Sequence, residues 1–298
     1  MPTDLTFRTA ADHTLAGTLY APADLHPQDV HKAVLIAPAT GIGRQFYAAF
    51  ADYLAAHGYG VLVFDFQGIG ESRRGALRDC PASLVSWGSQ DLPAALEELT
   101  RQFPRASSQL VGHSAGGQLL GLMPNARRLA SLLAVASSSG SVANMPLSYR
   151  VKAEFFLRVF IPVSNRITGV SRTDLVGMGG PLPRQVGAQW ARWCLARGYV
   201  ETGFGKEVRQ HVYDTLDLPS LWLNASDDAI ATRANVADML RVYPRMAPTA
   251  ERLTLDPGAH GLDRIGHMEF FRRGSRTLWP LALDWLERHQ ACRPAPDR

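Results

Sequence analysis

The stretch Gln109-Leu110-Val111-Gly112-His113-Ser114-Ala115-Gly116-Gly117 decides how the rest of the chain reads. A short apolar run enters a G-x-S-x-G turn, and small residues through Leu122 then suit a helix. Glycines two places before and two places after Ser114 leave room for a very tight strand-to-helix turn. Such a turn lifts the serine oxygen out of a sheet and seats it at a helix N-terminus. The next amide, that of Ala115, then faces the place where an oxyanion would form.

Working outward, the same alternation repeats on both sides. Upstream lie apolar runs at Lys32–Ala37 and Gly60–Asp65, with a helix expected over Arg44–His57 between them. Downstream come Leu129–Ala136, Pro219–Ala225 and Glu251–Leu255. Helices are expected over Asp91–Phe103, around Thr232–Tyr243 and over Ser275–Gln290. Strands that are apolar on both faces and alternate with helices predict a mostly parallel sheet covered on two sides. The opening segments Leu5–Thr9 and Thr14–Tyr20 alternate like a half-buried hairpin, placed at one sheet edge.

One segment breaks the rhythm. Residues 140–216 are too long for a connection in a compact domain. They hold an apolar stretch from Phe155 to Ile161 and an aromatic helix around Trp190 and Trp193. The expected organisation is a core of residues 1–139 and 217–298 with a helical cap at 140–216. A helix that touches a membrane is the competing reading of the apolar stretch.

Composition sets outer bounds. The chain has 298 residues, 46% hydrophobic and 19% charged, with a formal net charge of +4. The cations fall in scattered pairs such as Arg73-Arg74 and Arg127-Arg128, so nucleic acid is not an expected partner. Cys80, Cys194 and Cys292 are far apart and odd in number, which disfavours a disulfide framework or a zinc site. The first residues show no secretory pattern and no stretch is apolar enough to span a bilayer. The expectation is a cytoplasmic protein without metal, organic cofactor or stable membrane insertion. Its partner is a small-molecule substrate, and its oligomeric state is open.

A serine on such a turn needs a base, and the base needs an orienting acid. Behind this type of turn they follow in the order serine, acid, histidine. After the Pro219–Ala225 run comes Ser226-Asp227-Asp228-Ala229-Ile230-Ala231-Thr232. Asp228 is the favoured acid, because D-A-I-A-T resembles the D-x-I-x-P pattern of that loop; Asp227 is its rival. His260 and His267 both follow the last strand, and His267 is favoured because it lies nearer the final helix. The loop Pro38-Ala39-Thr40-Gly41-Ile42-Gly43 should supply the second oxyanion amide, and Thr40 is the candidate since Pro38 has none to give. A phosphate-cradling reading of that loop fails for want of a third glycine or a G-K-[ST] run.

Together these residues resemble the α/β-hydrolase superfamily, over nearly the whole chain. Asp65-Phe66-Gln67-Gly68-Ile69-Gly70-Glu71-Ser72 is similar to a D-x-R-G-x-G-x-S loop common there, with Gln67 in place of arginine and an expected structural role. Leu182–Cys194 (L-P-x-x-V-x-x-Q-W-A-R-W-C) and Ile265–Arg272 (I-G-H-M-E-F-F-R) resemble a group of bacterial hydrolases near the serine-aminopeptidase and monoacylglycerol-lipase-like branch. That group usually carries glycine where this chain has Glu269; the second motif strengthens His267 over His260.

The resemblance implies an α/β-hydrolase fold with a mainly parallel eight-stranded sheet, helices on both faces and an inserted helical cap. It implies a serine hydrolase, carboxylesterase- or lipase-like, with Ser114 as nucleophile, His267 as base, Asp228 as acid and the Thr40 and Ala115 amides as oxyanion donors. A peptidase or amidase would want a cap charge such as Glu154, Glu201 or Glu207 to receive a free terminus. An acyltransferase would use the same triad with water excluded. A catalytically inactive binding protein could keep the same fold.

Overall fold

The computed structural model describes residues 2–290. Eight strands form its main sheet: β1 (Thr3–Arg8), β2 (Thr14–Tyr20), β3 (Lys32–Ala37), β4 (Tyr59–Phe64), β5 (Ser107–His113), β6 (Leu132–Val135), β7 (Ser220–Ala225) and β8 (Glu251–Leu255). Their spatial order is β1-β2-β4-β3-β5-β6-β7-β8. β1 and β2 form the antiparallel hairpin at one edge, and β2 meets β4 antiparallel. Every ladder from β4 onward is parallel. This is the mainly parallel, two-sided sheet that the apolar runs predict.

The two faces follow the period of two along each strand. Val34, Ile36, Val61, Val63, Val111 and Leu223 point to one core layer, closed by α1 (Ala48–Ala56) and by the last helix, Trp279–Arg288. Ala33, Leu35, Leu62, Phe64, Leu110 and Trp222 point to the other, closed by the helix ending at Gln102 and by the inserted segment.

One helix starts before its expected boundary, and a helical run in the insertion uses the same device. The helix expected from Asp91 starts at Leu84, where Ser83 and Ser86 form a capping box. It runs through Pro93 to Gln102. In the insertion, the helical run Leu147–Thr168 likewise passes Pro162. In each case a π turn, Trp87–Asp91 or Phe156–Phe160, precedes the proline. A proline ring has no N–H and presses on the carbonyl four residues back. The wider π turn relieves that clash and lets the helix continue.

Residues 140–216 leave the sheet after β6 and return at β7. After Leu147–Thr168 comes a two-residue ladder of Val170–Ser171 with Leu182–Pro183, then the helix Arg184–Cys194. Leu157, Ile161, Leu182, Val186 and Trp193 sink into the core layer on that side. The segment also touches the loop after β3, where the Gly180 amide donates to the Gly41 carbonyl at 2.8 Å. Cys80 and Cys194 are free thiols, and Cys292 lies outside the described residues.

Candidate active site

β5 delivers Ser114 on a strained backbone, with φ 49° and ψ −113°. A non-glycine residue there costs about 1–3 kcal/mol and persists only where its surroundings over-determine it. Here they do. The Ser114 amide donates to the Val135 carbonyl at 2.9 Å, and the Ser137 hydroxyl donates to the Ser114 carbonyl at 2.9 Å. The flanking glycines are dictated by clearance: a Cβ on Gly112 would lie 2.4 Å from the Gly117 backbone, and one on Gly116 would lie 2.1 Å from the Ala37 carbonyl oxygen.

The structure brings Ser114, His267 and Asp228 into one hydrogen-bonded row. His267 Nε2 lies 3.1 Å from Ser114 Oγ, and His267 Nδ1 lies 2.8 Å from Asp228 Oδ2. A carboxylate only accepts, so Nδ1 carries a proton toward Asp228 and Nε2 faces the serine hydroxyl. The other carboxylate oxygen, Asp228 Oδ1, accepts from the Ile230 and Ala231 amides at 2.8 and 2.9 Å. Burial opposes the negative charge of Asp228. The His267 charge, the His267 hydrogen bond and the two amides outweigh it, so the carboxyl stays below its ordinary 3.8.

The two rivals lie elsewhere in the arrangement. His260 ends the short turn Gly258–His260, and its ring makes no hydrogen bond among the described residues. Asp227 points away from His267 Nδ1, yet it is not idle. Its carboxylate accepts from the Ile265 amide at 3.1 Å and the Gly266 amide at 2.8 Å. Adjacent aspartates thus divide the work: one holds the His267 ring, the other holds the backbone that carries it.

A second set of contacts does not follow from the sequence pattern. His113, the first variable residue of the turn motif, is fully buried. Its Nε2 donates to the His267 carbonyl at 2.9 Å, which leaves Nδ1 to accept from the Tyr47 hydroxyl at 2.8 Å. The Tyr47 oxygen accepts in turn from the Ala39 amide at 2.8 Å. One neutral imidazole therefore ties the His267 loop to the loop after β3. Burial, and then the neighbouring His267, push the His113 pKa down to about 3. The motif shows a histidine there; only the fold supplies Tyr47 and the His267 carbonyl as its partners.

The Ala39 amide is engaged, whereas the Thr40 and Ala115 amides donate to no protein acceptor among the described residues, a state they share with the Gly41, Gly43 and Gly116 amides. The loop bearing Thr40 is pinned by Arg44, which is buried rather than open to a phosphate. Its Nη1 meets Asp65 Oδ2 at 2.6 Å, while its own amide donates to Asp65 Oδ1 at 2.7 Å. Asp65 also receives the Glu71 amide at 3.0 Å. The Asp65–Ser72 loop therefore acts as a brace for the loop after β3, and Gly70 (φ 47°) allows Glu71 to turn back to Asp65. Among the described residues, no three His, Cys, Asp or Glu side chains gather to hold a metal ion.

Comparison with known proteins agrees with this architecture. Solved structures align over nearly the full length. A hypothetical protein of Pseudomonas aeruginosa aligns at TM-score 0.64 and 15% identity, over 97% of this chain and 94% of that one. An esterase of Pyrococcus furiosus aligns at TM-score 0.63 and 13% identity, over 98% and 91%. A soluble variant of the monoglyceride lipase of Saccharomyces cerevisiae, in complex with a substrate analogue, aligns at TM-score 0.64 and 15% identity, over 93% and 92%. Residues 28–174 match the family model described as serine aminopeptidase, S33. The fold is that of the α/β hydrolases. No curated protein matches it. At these identities the structural likeness speaks for the fold and leaves the substrate to this chain's own residues.

Proposed function

We propose that the protein is a serine hydrolase that cleaves an ester-like acyl bond of a small, hydrophobic substrate. The observation that carries this reading is the row Ser114–His267–Asp228 on a strained turn. In the proposed reaction Ser114 Oγ attacks the acyl carbon as His267 Nε2 takes the hydroxyl proton. The carbonyl oxygen becomes an oxyanion and is met by the Thr40 and Ala115 amides. One such donor is worth about 3 kcal/mol of barrier, or roughly a hundredfold in rate. His267 returns its proton to the leaving alkoxide, the C–O bond breaks, and an acyl-Ser114 ester remains. Water then attacks that ester with His267 as base, and the proton finally restores Ser114. Asp228 keeps the imidazole in its tautomer and stabilises the cation that forms.

The carboxylates of the insertion favour ester over peptide. Glu154 pairs with Arg150, Glu201 with Arg241 and Glu207 with Arg192, so each candidate receiver of a free amino terminus is already matched by an arginine. A peptidase is the second reading, because the matched family model is described as serine aminopeptidase.

Hydrolysis of a p-nitrophenyl ester series, acetate to palmitate, tests the proposal. Wild type is expected to turn over at least part of the series. Ser114→Ala and His267→Ala should lose activity, and His260→Ala should keep it. A wild type inert on every ester but active on aminoacyl amides would favour the peptidase. Failure of a fluorophosphonate probe to label wild type would sink the nucleophile assignment itself.

A further inference from the structure

The run Leu147–Thr168 carries apolar residues on the side away from the core. Leu147, Val151, Phe155, Val159, Val163 and Ile167 recur at every fourth position and are 43–77% exposed. On a regular helix of 3.6 residues per turn, a fourth-position stripe drifts by about 40° per step and would wind half-way round. The π turn Phe156–Phe160 takes in an extra residue in the middle of the run. That rotates the second half back by about 100°, so the six side chains stay on the outward face. The inward face is apolar as well, with Ala153, Leu157 and Ile161 in the core.

The charges on this run are one-sided. Lys152, Arg158 and Arg166 are exposed and form no ion pair among the described residues. The run's one acid, Glu154, is already paired with Arg150 at 2.9 Å. Leu175 and Val176 extend the apolar surface beyond the helix end. Beside that end lies a cavity of about 340 Å³ lined by Arg73, Arg78, Thr168 and Arg172. Of its arginines only Arg172 has a carboxylate partner among the described residues, Asp174.

We infer that this face docks the protein on an anionic phospholipid surface, the helix lying in the plane of the interface with its apolar stripe among the acyl chains. The free cations meet the headgroups, and the arginine cavity takes a lipid phosphate. A second copy fits less well: two-fold docking across the stripe would bring the unpaired Lys152, Arg158 and Arg166 of both copies to one interface, where the run's one acid, Glu154, is already paired with Arg150. No described helix is long and apolar enough to cross a bilayer, so the attachment is peripheral. The near end of the run approaches the candidate active site, where burial and then the charge of Asp228 raise the Tyr149 pKa. The inference stands whether or not Ser114 is a nucleophile.

Flotation with vesicles tests it, using phosphatidylcholine alone and phosphatidylcholine mixed with phosphatidylglycerol. The full chain should float with the mixed vesicles, stay down with the neutral ones, and be released by salt. Phe155→Asp combined with Ile167→Asp should cut partitioning more than tenfold at unchanged Tm. Arg158→Gln and Arg166→Gln should each cut it about fivefold. Wild type that stays down with both vesicles overturns the inference, as does a double aspartate variant that floats like wild type. A wild-type dimer in sedimentation that the aspartates dissociate would show that a second copy covers the face, and would overturn it too.

Discussion

The loops at the carboxyl edge of the sheet and the 140–216 insertion lie side by side but are held by different forces. At the sheet edge, position is set by polar clamps with defined partners: Asp228 and Asp227 under the His267 loop, His113 between two loops, and Asp65 under Arg44. The insertion is held chiefly by apolar burial, with Leu157, Ile161, Val186 and Trp193 in the core and little polar specification of its outer face. Polar clamps fix atoms to tenths of an ångström. Apolar burial fixes a segment's place but leaves its outer composition free for another use. Substitutions should therefore separate cleanly: those at the edge cost chemistry, and those in the insertion cost stability or surface behaviour.

The largest expected effect is at the edge. Ser114→Ala should lower kcat/KM on a soluble ester by about 10⁴-fold or more at unchanged Tm, and Asp228→Asn by about 10⁴-fold, since an amide at that position favours the wrong imidazole tautomer. In the insertion, Trp193→Ala should instead cost about 3–5 kcal/mol of stability, as expected for a large buried aromatic. At constant folded fraction its kcat should stay near wild type. If Trp193→Ala left Tm unchanged and abolished turnover, the division between the two regions would be wrong.

A finer test lies between the adjacent aspartates. Asp227→Asn retains one acceptor oxygen but turns an amide N–H toward a backbone donor that the carboxylate now satisfies. The His267 backbone should shift slightly, so kcat should fall about 10- to 100-fold, far less than in Asp228→Asn, with KM nearly constant. Equal losses in the two variants would mean that Asp227 does more than hold the loop.

How legible the molecule is from its sequence differs by region for the same physical reason. The sheet is readable because strands such as Val34–Ile36 and Val61–Val63 are apolar on both faces and bounded by turn residues. Ser114, His267 and Asp228 can be nominated because the turn imposes glycines at Gly112 and Gly116 and the loops impose an order. The choice between Asp227 and Asp228 is harder, because both accept backbone amides and only the fold shows which faces an imidazole. The clamp by His113 is invisible in the sequence, since its partners Tyr47 and the His267 carbonyl are far away along the chain. The helix expected from Asp91 starts earlier, at Leu84, because a π turn ahead of Pro93 lets the helix run on through the proline.

One group tests the border of the two regions by its proton. Asp91 sits on the π turn of the helix whose first amide, that of Leu84, donates to Gln189 of the insertion at 2.7 Å. Asp91 Oδ2 accepts from the Gln67 amide at 2.8 Å, and Oδ1 is buried without a partner among the described residues. Burial pushes its pKa up to about 8 from 3.8, against the pull of the Gln67 amide. Between those values the folded protein keeps a proton that the unfolded chain has released. Its stabilising contribution is whole below about 4 and is lost as pH rises through about 8, with a slope of at most about 1.4 kcal/mol per unit. Asp91→Asn has nothing to titrate there and keeps an acceptor for Gln67. Relative to wild type it should become progressively more stable from pH 5 to pH 8, by denaturant titration across that range. Parallel curves for the two proteins would mean that Asp91 is ionised in the fold, and that a counter-charge or water reaches the border between sheet and insertion.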